Sequence, residues 1–158
     1  MAAVVVVGDT ALDVVTRHSG PIARGDDTLA RIRMHAGGAG ANAAAWLAWL
    51  GASVTLVSRV GSDAAATQAR EELTARGVRC EFTVDETAGT GCVVVLVDET
   101  GQRTMFPDRG TNALLRSTDV PPAVLSSAQH LHLSGYVLTD SGTRQAGIEV
   151  LAAQERPG

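Results

Sequence analysis

Between Ala3 and Val7 every position is apolar, and the run closes on Gly8-Asp9. That pattern predicts a first strand, buried on both faces in a parallel sheet. Thr28 to His35 behaves differently, with Ala30, Ile32 and Met34 alternating with Arg31, Arg33 and His35. A period of two with one polar side predicts a half-exposed strand on a surface flap. After Gly37 to Gly40, the segment Ala41 to Leu50 is alanine-rich and apolar nearly all round. It predicts a buried helix ended by Gly51, with Trp46 and Trp49 as packing anchors.

Further along, Val54 to Ser58 predicts a second buried strand, Ala64 to Arg76 a helix stopped by Gly77, and Arg79 to Val84 a short strand. The order is βαβαβ. Cys92 to Val97 and Arg103 to Phe106 flank the turn Asp98-Glu99-Thr100-Gly101 and predict a hairpin, expected to pair with the amphipathic strand Thr28 to His35. Thr118-Asp119 before Pro121-Pro122 predicts a capped helix reaching about Ala128. His130 to Leu133 then predicts a strand and Thr143 to Gln154 a final helix. A helix after a strand ordinarily crosses back to feed another parallel strand, so the stop at Arg156-Pro157-Gly158 is expected to leave the last unit open. An interior strand left without its neighbour would be an exposed edge. No internal repeat or low-complexity segment interrupts the 158 residues.

Composition narrows the chemistry. With 45% apolar residues and a net charge of −4, the chain is that of a globular domain. Its 13 basic side chains are spread thinly along the sequence. They give no footprint for nucleic acid or an anionic membrane, which points to a neutral or anionic small ligand. All 13 are arginines, which excludes a Schiff-base lysine or a P-loop lysine among these residues. Cys80 and Cys92 lie in apolar runs without CxxC spacing or a histidine at ligand spacing; they read as buried free thiols suited to a reducing cytoplasm. Met1 to Val7 lacks the charged leader, long apolar stretch and cleavage site of a secretory signal, and no apolar run approaches the roughly 18 residues of a membrane helix. The expected location is cytoplasmic.

The informative stretch is Gly37-Gly38-Ala39-Gly40-Ala41-Asn42 at a strand-to-helix junction. Glycines there let backbone N–H groups approach a phosphate, a carboxylate or sugar hydroxyls at a helix N-terminus. Gly38, Gly40 and Ala43 also fit the GxGxxA spacing of a dinucleotide fold. Against that reading, the glycines follow the alternating strand, while the buried first strand leads into Gly8-Asp9-Thr10-Ala11-Leu12-Asp13 without them. Arg59 stands where a ribose-binding acid would be expected, leaving an NADP-dependent oxidoreductase as the remaining version of that reading.

Taken together, Gly37, Gly38, Gly40, Asn42, Ala44, Gly51 and Gly61 fall at the spacings of the first signature of the ribokinase-like (PfkB) carbohydrate kinases, which the chain resembles. Gly8-Asp9 with Asp13, Val60-Gly61-Ser62-Asp63, Thr90-Gly91, Arg109-Gly110-Thr111-Asn112 and Leu133-Ser134-Gly135-Tyr136 are similar to further family landmarks. The resemblance runs through 1–158, in order, but over only about the first half of a typical member. It implies an α/β fold: part of a three-layer α/β/α sandwich with a small β-sheet lid, the lid strands near 12–36 and 90–107. It also implies that the carboxy-terminal ATP-binding half is absent. That half carries a DTxGAGD-like motif whose aspartate is the general base; here Asp140-Ser141-Gly142 is the nearest run and lacks the GAGD. No catalytic residue and no metal ligand is therefore assigned.

The resemblance implies that Asp13 accepts hydrogen bonds from sugar hydroxyls, against the alternative of a solvated turn aspartate. Gly37, Gly38 and Asn42 would contact the sugar through backbone groups and one amide, against an ordinary helix start. Arg109 could fork onto a substrate carboxylate or ring hydroxyl, or be a solvated loop arginine. Asp63 reads as a turn or helix cap, and His130 and His132 as strand residues without a catalytic partner. Ala39 and Ala11 stand where ribose-phosphorylating members carry lysine and asparagine, so the sugar is left open. A complete enzyme would use ATP and Mg2+ to phosphorylate a sugar hydroxyl, under a lid that excludes water and in several members pairs into dimers. This chain alone is expected to bind neither cofactor tightly and to be inactive. A non-catalytic sugar-binding module is the alternative.

Overall fold

A computed structural model describes residues 2–154; the terminal Arg156-Pro157-Gly158 lies outside them. Four strands form a parallel sheet in the order β5-β4-β1-β8, comprising β1 (Ala3–Val7), β4 (Ser53–Gly61), β5 (Val78–Asp85) and β8 (His130–Leu133). The valines of β1 show why it is central. Val4 and Val6 pack with Ala41, Ala44 and Leu73 on one face, while Val5 and Val7 pack with Leu115, Leu125 and Val150 on the other. Helices α1 (Ala39–Trp49) and α2 (Ala64–Ala75) supply the first layer. Helices α3 (Pro122–Ser126), α4 (Gly135–Thr139) and α5 (Arg144–Gln154) supply the second. The result is a three-layer α/β/α arrangement.

A second sheet has the order β3-β2-β6-β7, with β2 (Ala11–His18), β3 (Ala30–Gly37), β6 (Gly91–Val97) and β7 (Arg103–Asp108). The hairpin β6–β7 does not pair with β3 as expected. Strand β2, which the sequence pattern did not reveal, lies between them, antiparallel to β3 and parallel to β6. Strand β3 is an edge, and Ala30 to His35 are exposed on both faces rather than one.

Three further expectations are corrected. Trp46 and Trp49 are 64% and 74% exposed and meet each other edge to face at 5.4 Å between ring centroids, while Gly40, Ala41 and Ala44 take the buried side of α1. Small side chains let the helix lie close to β1 and β4, and an alanine-rich helix gives no polar stripe to mark its outer face. Asp119 does not cap a helix over 118–128. It closes a 3₁₀ turn, accepting from the Arg116 N–H at 2.9 Å, and α3 starts at Pro122 behind Pro121. Cys80 and Cys92 are free but only half-buried. Asp63 caps α2 as expected, accepting from the Ala66 N–H at 2.9 Å.

Candidate functional site

The loops that leave the carboxyl ends of β1 and β8 meet the turn between β3 and α1, the place where open α/β sheets form their ligand crevice. Four close contacts hold it. Gly38 has φ +97°, and a Cβ there would lie 2.6 Å from the Asp9 carbonyl oxygen. Gly40 packs so tightly on Gly8 and Asp9 that a Cβ would come within 2.9 Å of their backbone. Because Gly38 has no side chain to cap α1, the cap comes from Asp9: its carboxylate accepts from the Ala39 N–H at 2.7 Å and from the Ser134 hydroxyl at 2.9 Å. Asn112 clips the same loop, donating to the Thr10 carbonyl at 2.8 Å and accepting from the Thr10 N–H at 3.1 Å.

These segments enclose a cavity of about 360 Å³. Asp13, Gly38, Asn42 and Arg109 all line it, together with Asp9, Asn112 and Tyr136 at its base and Val93, Val95 and Met105 from the second sheet. Gly37 does not line the cavity. It leaves the space that the Asp13 carboxylate fills, since a Cβ on Gly37 would overlap that group. Burial pushes the Asp13 carboxyl above its ordinary value; His35 across the strand pair draws it down and Asp9 pushes it further up.

Arg109 is part-exposed but paired within the chain. Its Nε lies 3.3 Å from Asp140 Oδ2 and its guanidinium 5.8 Å from the centre of the Tyr136 ring, so its charge is already matched within the chain. Asp9, Asn112 and Tyr136 stood in the sequence as motif landmarks without an assigned role; their place emerges only when distant loops meet. His130 and His132 stay on β8, outside the cavity lining. Behind the site, Arg59 forks between Asp85 and Asp119 at 2.9 Å each, and its carbonyl accepts from the Thr111 hydroxyl. Hydrogen bonds from Thr87 and from Arg59 hold the Asp85 carboxyl well below its ordinary value. So engaged, Arg59 has no free fork for a nucleotide phosphate, and the glycine loop follows the exposed edge strand β3. Neither fits a dinucleotide site. Among the described residues no group of three or more His, Cys, Asp or Glu is placed to hold a metal ion.

The model of the pfkB family of carbohydrate kinases matches residues 1–156. Ribokinase from Mus musculus is 35% identical over 164 residues, covering 95% of this chain and 50% of that protein. The ATP-dependent ribose-1-phosphate kinase of Halopiger xanaduensis is 30% identical over 115 residues, covering 72% of this chain and 39% of that protein. Among solved structures, a fructokinase from Xylella fastidiosa with bound ATP superposes with a TM-score of 0.81 at 24% identity, covering 97% of this chain and 48% of its own; at that identity it bears on the fold alone. The chain spans half or less of the length of these relatives. With the family model matched over residues 1–156, this chain belongs to the pfkB family of carbohydrate kinases.

Proposed function

We propose that this chain forms the sugar-binding part of an ATP-dependent carbohydrate kinase, which moves the γ-phosphoryl group of ATP to a hydroxyl of a sugar or sugar-like substrate. The observation that carries the reading is the convergence of Asp13, Gly38 and Asn42 on one cavity under the second sheet. An ionised Asp13 accepts from two hydroxyls at once, which fixes the orientation of a ring. The Asn42 side-chain amide offers a donor beside it. Val93, Val95 and Met105 form an apolar wall that keeps water from the bound face, as a lid must if water is not to compete for the phosphoryl group. Gly37 acts by making room for Asp13, and Arg109, paired with Asp140, shapes the cavity floor.

ATP and Mg2+ supply the phosphoryl group and neutralise its charge in the family's reaction. Residues 1–158 carry no DTxGAGD-like run, and among those described no group of side chains is placed to hold a metal ion. By itself the chain binds sugar and transfers no phosphate. The second sheet is the lid, and a pair of lids is the expected dimer contact. No helix among the described residues is long and apolar enough to cross a membrane, and the free thiols Cys80 and Cys92 suit the cytoplasm.

The test is a panel of sugars offered to the purified chain, with binding followed by calorimetry and phosphotransfer by labelled ATP. Saturable binding without labelled sugar phosphate is expected. Labelled product in proportion to the chain would overturn the inactivity, and absence of binding to every sugar would overturn the site. A genuine sugar-binding module is favoured if no longer form of the protein phosphorylates the sugar it binds.

A further inference from the structure

Arginines that are scattered along the sequence are gathered by strand register. On β2 and β3, Asp13 lies opposite His35, Val15 opposite Arg33 and Arg17 opposite Arg31. Arg17 is also level with Val97, and Val97 with Arg103, so the outermost row of the sheet carries three arginines. Directly opposed residues share a face, and Asp13, Val93 and Met105 identify this one as the face that roofs the cavity. A second hollow of about 290 Å³ opens on it, lined by Val15, Arg17, Arg31, Arg33 and His35. Four of the chain's 13 basic residues therefore converge on one sheet face of a chain whose net charge is −4.

Among the described residues none of the four forms an ion pair; the ion pairs there use Arg59, Arg76, Arg79 and Arg109 instead. Asp98, in the turn that follows Val97, accepts from the Thr100 hydroxyl and from backbone N–H groups of Thr100 and Gln102. Like charges directly opposite one another destabilise a sheet, so Arg17 facing Arg31 is a cost that a bound anion would relieve.

We infer that the substrate is an anionic sugar, a sugar phosphate or a sugar acid, with hydroxyls at Asp13 and its anionic end against Arg33, backed by Arg17 and Arg31. The inference rests on the sugar site proposed above and names its substrate class. Two residues along a strand span roughly 7 Å, comparable with an extended pentose or hexose chain, so one molecule reaches from Asp13 to the Arg33 row. Planar guanidinium forks match the oxygens of phosphate and carboxylate alike. A nucleic-acid surface is the weaker reading, because the arginines fill only two rows and adjoin a sugar-sized cavity.

Calorimetric titration of the chain with ribose against ribose 5-phosphate, and with glucose against gluconate, tests this. In at least one pair the anionic member is expected to bind about tenfold more tightly, about 1.4 kcal/mol, and the preference to shrink as salt is raised. Preference confined to one pair separates phosphate from carboxylate recognition. The ratio of affinities should collapse toward unity in the Arg31→Gln/Arg33→Gln double variant, and partly in Arg33→Gln alone should the double variant fold poorly by circular dichroism. Equal affinity within both pairs overturns the inference while leaving the sugar site standing, as does a preference that survives the substitutions. Binding of no member of either pair overturns the sugar site together with it. Tight binding of a duplex oligonucleotide, lost in the double variant and without any sugar preference, assigns the arginines to nucleic acid and also overturns it.

Discussion

Asp13 combines burial with a charged role, and the two oppose each other. Its folded pKa lies above its unfolded value of about 4, so over that interval the native state holds more protons than the unfolded chain. Stability therefore falls as pH rises through the interval, and the cost persists at neutral pH. Asp13→Asn is expected to melt at or above the wild-type temperature at pH 7 while sugar binding is lost; a clear drop in melting temperature would mean that the carboxylate serves the fold instead. Gly38 makes the opposite case. At φ +97° and 2.6 Å from Asp9, an added Cβ is strained whatever the neighbours do, and Gly38→Ala should cost about 1–3 kcal/mol in urea denaturation along with sugar affinity. Gly38 and Asn42 stood out in the sequence within a spaced motif and Asp13 beside Gly8-Asp9, while their meeting at one cavity is given by the fold. The Arg109–Asp140 pair and the arginine face did not stand out, because each depends on which distant residues the fold makes adjacent.

Between elements, single polar side chains fasten the loops that frame the cavity. Asn112 is buried and satisfies both the N–H and the carbonyl of Thr10. Asn112→Ala leaves both unpaired, at a cost of about 1–3 kcal/mol, and should weaken sugar binding while Asp13 itself stays in place; unchanged stability would show that the loop closes without the clip. Arg59 ties β4 to β5 and to the 3₁₀ turn that ends in Asp119. Since the Asp85 carboxyl is held below its ordinary value, its contribution is present above about pH 4 and is lost as pH falls below that. Arg59→Leu should lower the melting temperature at pH 7 and flatten the acid limb of stability against pH, checked by melts across that range. Elements with a clear pattern were readable: β1, α2 and the hairpin match their sequence patterns closely, while β4 runs three residues beyond its expected end at Ser58. The hydrophobic pattern did not show strand β2, which falls in the lid region near 12–36 that the resemblance implied, because Asp13 and Thr16 break its alternation and its register is supplied by β3 and β6. Helix α4 and the 3₁₀ turns are too short for any period to show.

The molecule as a whole is a parallel sheet between two helical layers, with a second sheet standing over the carboxyl ends of its strands. The class of fold was legible because a continuous β-branched strand, a glycine-rich turn and alternating helices admit few other arrangements. How the second sheet sits was not, since an alternating strand says which residues share a face but not what that face covers. That placement turns the motif into a cavity, and every role proposed for the site depends on it. The most direct test is to titrate the 15N-labelled chain with ribose, fructose and their phosphates while following backbone amides. Saturable shifts are expected at Asp13, Gly37 to Asn42 and Gly110 to Asn112, with little change near Trp46 and Trp49. Shifts confined to the tryptophan face of α1, or none with any of these ligands, would mean that the cavity is not the sugar site.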